Sequence, residues 1–161
     1  MEAINSKDAK IQYRKASLRD AEILVKLRCE FLREIGFFEE KDREALESAN
    51  KEYFLKYLEN GGFVSWLAIT DGEVIATSGI CFYTVPPNAK SLNGKVGYIQ
   101  NMYTKKEFRR LGIAKALLTK TVEEARGRGC DKVILGATDA GRGLYEGFGF
   151  REMENEMEYR L

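Results

Sequence analysis

Two segments of the sequence hold groups whose types and spacing could do chemistry. In the first, Tyr103-Thr-Lys-Lys-Glu-Phe-Arg109-Arg110-Leu111-Gly112-Ile113-Ala114, an extended run reaches a long helix through a tight turn. The first turn of a helix leaves its N–H groups unpaired and carries partial positive charge, and a glycine there admits close approach to the backbone. That corner suits a pyrophosphate, and Arg109 and Arg110 add full charges beside it. It is neither a GxxxxGK phosphate loop nor a GxGxxG dinucleotide turn. The same residues fit equally well a glycine that only eases the turn, flanked by two solvated arginines. The second segment, Gly141-Arg-Gly-Leu-Tyr145-Glu-Gly-Phe-Gly-Phe150, brings a phenol hydroxyl just after an apolar strand. Taken alone it reads as glycine punctuation around a half-buried aromatic.

Composition closes other routes. The 161 residues contain no His, which removes Ser-His-Asp and Cys-His catalysis and any His-ligated metal. Cys29, Cys81 and Cys130 are far apart, odd in number and never in a CxxC pair. They argue against a disulfide framework or a Cys-only zinc site, so no metal is expected and a reducing cytoplasm fits. Lys plus Arg is 26 against 25 for Asp plus Glu, a balance that argues against a nucleic-acid or anionic-membrane binder. No apolar run approaches the ~20 residues of a membrane span. The opening MEAINSKDAK lacks the apolar core of a signal peptide and reads as a flexible, solvated tail over residues 1–10.

The elements that must position the two segments follow from periodicity. Ile11 to Lys15 reads as a short strand, and Ser17-Leu-Arg-Asp20 has the form of a capping box. Behind it Ile23, Leu24, Leu27, Phe31 and Leu32 recur at helical spacing until Gly36. A second helix is expected over Glu39 to Glu59, ended by Asn60-Gly61-Gly62. Phe63 to Thr70 and Glu73 to Val85 read as strands joined by an Asp71-Gly72 hairpin turn. Lys95 to Thr104 is a further strand and Ile113 to Arg126 a helix. Lys132 to Thr138 is apolar throughout, as in the middle of a sheet. A short helix around Leu144 and a last strand pair, near Phe150 and over Met157 to Arg160, complete the chain. This order predicts one α/β domain on a mixed, mostly antiparallel sheet of about six to seven strands flanked by helices.

Together the two segments resemble the GNAT superfamily of acyl-CoA-dependent N-acyltransferases. Arg109-Arg-Leu-Gly112-Ile-Ala114 matches that family's [Gln/Arg]-x-x-Gly-x-[Gly/Ala] acyl-CoA signature. Leu144-Tyr145-Glu146-Gly147-Phe148-Gly149-Phe150 is similar to its C-terminal Leu-Tyr-Glu-x-x-Gly-Phe motif. Element order matches as well, so the resemblance covers residues 11–161. It implies that the central strands splay into a slot for the pantetheine arm of acetyl-CoA. Main-chain groups of Met102, Tyr103 and Thr104 would pair with the pantetheine amides, and an N–H near Met102 would face the thioester oxygen. The amides of Arg109, Arg110, Leu111, Gly112, Ile113 and Ala114 would hold the pyrophosphate. Tyr145 would stand near the sulfur as general acid.

The resemblance also marks departures. Many relatives carry a Glu on the strand before the acyl-CoA loop, whereas Lys95-Val-Gly-Tyr-Ile-Gln-Asn-Met-Tyr-Thr holds no acid. The base is unassigned; Tyr98 and Gln100 could position a water. Where many relatives have Asn, seven residues before the motif Tyr, this chain has Thr138, and Gly143 replaces a Pro. The expected activity is acetyl transfer to an amine, the alternative an acyl-CoA-binding domain without catalysis. Residues 30–59 carry nine acids against five bases, and residues 105–132 nine bases against four acids. With the first stretch bordering the acceptor, that polarity points to a cationic amine, and equally to solvated helix faces. A homodimer is left open.

Overall fold

The computed structural model describes residues 10–161. The tail expected over residues 1–10 lies, but for Lys10, outside them. After β1 (Gln12–Lys15), the backbone N–H of Ser17 donates to the Asp20 carboxylate at 2.7 Å, and a 3-10 turn at Leu18–Asp20 leads into α1 (Ala21–Glu34). A second 3-10 turn, Glu40–Asp42, precedes α2 (Arg43–Asn60), which stops where Gly61 takes a φ of +74°. β2 (Phe63–Thr70) and β3 (Glu73–Thr84) join through Asp71 and Gly72, both at positive φ as the tightest hairpin turn requires. β4 (Lys95–Thr104), α3 (Ile113–Gly127), β5 (Lys132–Leu135) and α4 (Asp139–Phe148) follow.

The strands form one sheet in the order β1-β2-β3-β4-β5, antiparallel except for the parallel β4–β5 pair. Strand alternation sorts the core onto two faces. Phe63 and Leu67 of β2 pack with Leu24, Val25 and Cys29 of α1 and Phe54 of α2. Their neighbours Val64 and Ala68 turn the other way, toward Leu118 and Ala125 and toward Ile113 and Leu117 of α3. The helices thus flank the sheet, α1 and α2 on one side and α3 on the other.

Two expectations need correction. The described sheet has five strands rather than six or seven, and no strand follows α4. Phe150 turns in at once to pack against Tyr145 and Phe148, while Met157, Tyr159 and Leu161 lie exposed. The alternating pattern of that last stretch therefore covers no apolar face. The run expected to reach Thr138 ends as a strand at Leu135, at the edge of the sheet rather than its middle. Its apolar side chains are half-buried on the strand, and Gly136 and Ala137 are exposed.

Candidate active site

The site is built on a fault in β4. Gly79 of β3 stands opposite Gln100 and Thr77 opposite Tyr103, so Asn101 and Met102 together face Ser78 alone. This is a β-bulge, and Asn101 takes a φ of +60°, a region that Asn tolerates better than most residues. On its other edge β4 pairs with β5 only from Val96 to Ile99. From Gln100 onward that edge is unpaired, and the two strands part. The main chain of Met102 and Thr104 therefore lies on an open edge, as a ligand that pairs like a strand would need.

Beyond β4 the chain turns through Arg110 at φ +64° and Gly112 at φ +78° into α3. The amides of Arg110, Leu111, Gly112, Ile113 and Ala114 have no acceptor among the described residues. A Cβ placed on Gly112 would meet nothing within 4 Å, so the space beside this cradle is open. Ile113, 1 % exposed, anchors the first turn in the core with Leu117, whereas Leu111 is exposed. Arg109 is set differently. Its own N–H donates to the Lys106 carbonyl at 3.3 Å, and its guanidinium donates to the Thr104 carbonyl and to Glu34 of α1, each at 2.8 Å. Its charge thus points at α1 and away from the amide cradle.

Tyr103 is buried, and its hydroxyl donates to the same Glu34 carboxylate at 3.0 Å. Burial and that acceptor push its phenol up to about 12. Burial would raise Glu34, but the hydrogen bonds from Arg109 and Tyr103 and the positive charges nearby outweigh it, so its carboxyl lies below the usual range. Thr138 is the N-cap of α4, its hydroxyl accepting the Gly141 N–H at 3.2 Å. Tyr145, on α4, is buried in the cluster that contains Ile99 and Leu118 and against which Met102 packs. Burial raises its phenol above the ordinary value, and the hydroxyl has no hydrogen-bond partner among the described residues.

Tyr145 borders a cavity of about 530 Å³. Tyr83 and Tyr98 line it with Leu135, and Arg142, Glu146 and Glu156 supply charge. Met102 and Tyr145, expected together, share one cluster; Tyr103 and Arg109 lie instead on the α1 side. Read from the sequence, Asn101 has no role, Glu34 counts only among the acids of residues 30–59, and Gly141 is only the first glycine of the Tyr145 segment. A bulge breaks strand alternation without announcing itself, and Glu34 lies 75 positions before Arg109.

A mixed sheet whose strands part at a bulge, beside a helix that begins with free amides, is the architecture of an acyl-CoA-dependent transferase. The acetyltransferase (GNAT) family model matches residues 24–150, and the chain belongs to that family. A crystal structure with acetyl-CoA, of a predicted acetyltransferase from Clostridium acetobutylicum, superposes with a TM-score of 0.88 at 34% identity, covering 94% of this chain and 96% of that one. A GCN5-related N-acetyltransferase from Ralstonia eutropha gives 0.86 at 27% identity, covering 94% and 99%. The glucosamine 6-phosphate N-acetyltransferase of Trypanosoma brucei brucei is 36% identical over 66 residues, 41% of this chain and 45% of that one. The matched stretch spans less than half the length of the curated relatives.

Proposed function

We propose that the protein transfers an acetyl group from acetyl-CoA to an amine by direct attack in a ternary complex. One observation carries this reading: the open β4 edge lies between the free amides at the start of α3 and the Tyr145 cavity. Pyrophosphate on the amides and pantetheine along the edge would bring the thioester to the bulge. The N–H near Met102 would then stabilise the developing oxyanion.

The proton balance decides what Tyr145 does. A thiol ionises near ~8.5 and an ordinary phenol near ~10, so full transfer from tyrosine to the leaving thiolate is uphill by roughly 2 kcal/mol. Burial raises the Tyr145 phenol and widens that gap. Tyr145 therefore acts as a hydrogen-bond donor whose proton crosses late. An alkylammonium with a pKa near ~10.4 must also lose a proton, and β4 supplies no acid to take it. A water positioned by Tyr98 would relay that proton toward Glu146 or Glu156 on the same walls and on to solvent.

The acceptor is an amine, and its expected positive charge rests on the cavity rather than on the acidic helices. Four of the nine acids over residues 30–59, Glu34, Glu39, Glu40 and Glu47, pair with Arg109, Lys41, Arg33 and Arg43, and none of the nine lines the cavity. At the cavity Arg142 pairs with Glu152, which leaves Glu146 and Glu156 facing Arg151 beside two tyrosine rings. That setting favours a cationic amine.

Thiol release from acetyl-CoA across anionic, neutral and cationic amines tests the reading. Cationic acceptors should turn over. Release with none, while CoA still binds, would leave a non-catalytic acyl-CoA-binding domain. Desulfo-CoA should raise the Tm of the parent and not that of Gly112→Glu, which sets a carboxylate at the cradle; Gly112→Ala controls for backbone strain. Equal stabilisation of both would mean that the pyrophosphate binds elsewhere.

A further inference from the structure

We propose that Arg109 serves acetyl-CoA from outside the binding loop, as a positioning residue whose guanidinium clamps the loop to the end of α1 through Glu34. The inference rests on the acetyl-CoA reading above, but its physical core is the clamp itself.

The turn from β4 to α3 is held at several points, the Lys105 ammonium pairing with Glu73 at the start of β3 among them. The Lys105 N–H donates to the Ile75 carbonyl at 2.9 Å, Phe108 packs against the core cluster of Ile75 and Ile113, and Arg109 makes its fork. One arm of the fork closes the turn on itself, Nε to the Thr104 carbonyl at 2.8 Å. The other crosses to the last residue of α1, Nη2 to Glu34 Oε2 at 2.8 Å. The guanidinium carbon also lies 5.6 Å from the Tyr103 ring centre, and Tyr103 itself donates to Glu34 Oε1. Both carboxylate oxygens are thus engaged by residues that flank the loop. Past Arg109 come Arg110, Leu111 and Gly112; the Arg110 guanidinium makes no hydrogen bond among the described residues, and Arg110 and Gly112 sit at positive φ. Arg109 is the last held point before the amides that would meet the pyrophosphate.

Planar geometry matters here. A guanidinium can serve a carbonyl and a carboxylate at fixed angles at once, which an ammonium on a flexible stem cannot. The clamp is also partly solvated, Glu34 at 26% and Arg109 at 41% side-chain exposure, so it contributes little to global stability and acts on where the loop sits. It joins α1 to the loop, so the two keep one register.

A double-variant cycle tests this. Arg109→Ala and Glu34→Gln should each raise KM for acetyl-CoA by roughly tenfold, the worth of one charge-assisted hydrogen bond, with kcat at saturation within about threefold. The double variant should be no worse than the worse single, and Arg109→Lys should fail to restore the parent KM. In the free protein both singles should speed hydrogen exchange at the Lys105, Phe108 and Arg109 amides, which the turn holds in hydrogen bonds. Effects on KM that multiply in the double variant would mean that Arg109 touches acetyl-CoA itself, and would overturn the proposal. So would parent-like exchange and KM in Glu34→Gln. Were the parent to turn over no acetyl-CoA, the acetyltransferase reading would fall, while the exchange measurement would still decide the clamp.

Discussion

A Cβ built on Gly141 would stand 3.0 Å from Cε2 of Tyr145 and 3.3 Å from the Thr138 hydroxyl. The ring of Tyr145 lies over the first turn of α4, in the space a side chain would fill. Gly141 is therefore part of what aims the phenol, with Phe150 edge-on at a centroid distance of 5.9 Å. Gly141→Ala should displace the ring by a few tenths of an ångström. The expected outcome is a fall in kcat of roughly tenfold with KM for acetyl-CoA nearly unchanged, because proton donation is sensitive to placement and binding of the distant nucleotide is not. Steady-state kinetics at saturating acceptor check this. A tenfold rise in KM with unchanged kcat would place the ring's role in binding.

Tyr145→Phe asks the chemical question directly. The ring packing stays, and only a hydroxyl without a protein partner is removed, so Tm and CoA affinity should move little. A positioned acid contributes about 10²- to 10⁴-fold, and kcat should fall within that range. The loss should shrink with an acyl donor whose thiol is more acidic. Because burial raises the phenol, kcat in the parent should show no alkaline decline attributable to Tyr145 below about pH 10. Chemistry must first be shown to be rate-limiting.

Much of this arrangement was legible from residue pattern. Phe63–Thr70 and Lys95–Thr104 hold to the residue, because enrichment in β-branched and aromatic residues and the glycine turns that precede them are local signals. The Arg109-to-Ala114 and Leu144-to-Phe150 segments point to this region only through their resemblance to the family; taken alone, each fits a turn glycine or helix punctuation as well. What escaped was non-local. The bulge at Asn101 exists through β3 pairing, and the Glu34–Arg109 fork joins elements with no shared pattern. The C-terminal stretch misled for the opposite reason: Met157 to Leu161 alternates like a strand, yet nothing pairs with it among the described residues.

The start of α1 carries one of the groups that limit stability in acid. Asp20 accepts both Arg14 guanidinium nitrogens at 2.8 Å and the Ser17 N–H at 2.7 Å, and these partners outweigh burial to hold its carboxyl at about 2. A depressed folded-state pKa contributes stability that is present above the unfolded value near ~3.9 and is lost as pH falls toward the folded value. The contribution at neutral pH is at most about 3 kcal/mol, and less for the solvent screening of the half-exposed Arg14. Asp20→Asn should therefore be less stable than the parent at pH 7. The gap should close between about pH 5 and 2, a window that denaturant titrations at several pH values would reveal. A gap that stays constant down to pH 2 would assign the cost to packing rather than to charge.

Asn101 joins two costs at one position. Its backbone lies at φ +60°, and both polar atoms of its buried side chain lack hydrogen-bond partners among the described residues. Gly relieves both costs and adds chain entropy to the unfolded state, so Asn101→Gly should keep the bulge and remain within about 1 kcal/mol of the parent. Val cannot take that backbone conformation without a strain of about 1–3 kcal/mol. Two responses are then open to the chain: to bear the strain, or to straighten β4 and bring its edge back into register with β3. The second would swing Met102 away from the Tyr145 cluster. Asn101→Val should accordingly lose both stability and acetyl-CoA turnover, with kcat falling further than the loss of folded protein explains. Thermal unfolding and single-turnover kinetics on the same preparations separate the two responses. Strain alone would lower Tm and leave the rate per folded molecule intact, and that result would remove the bulge from the catalytic argument.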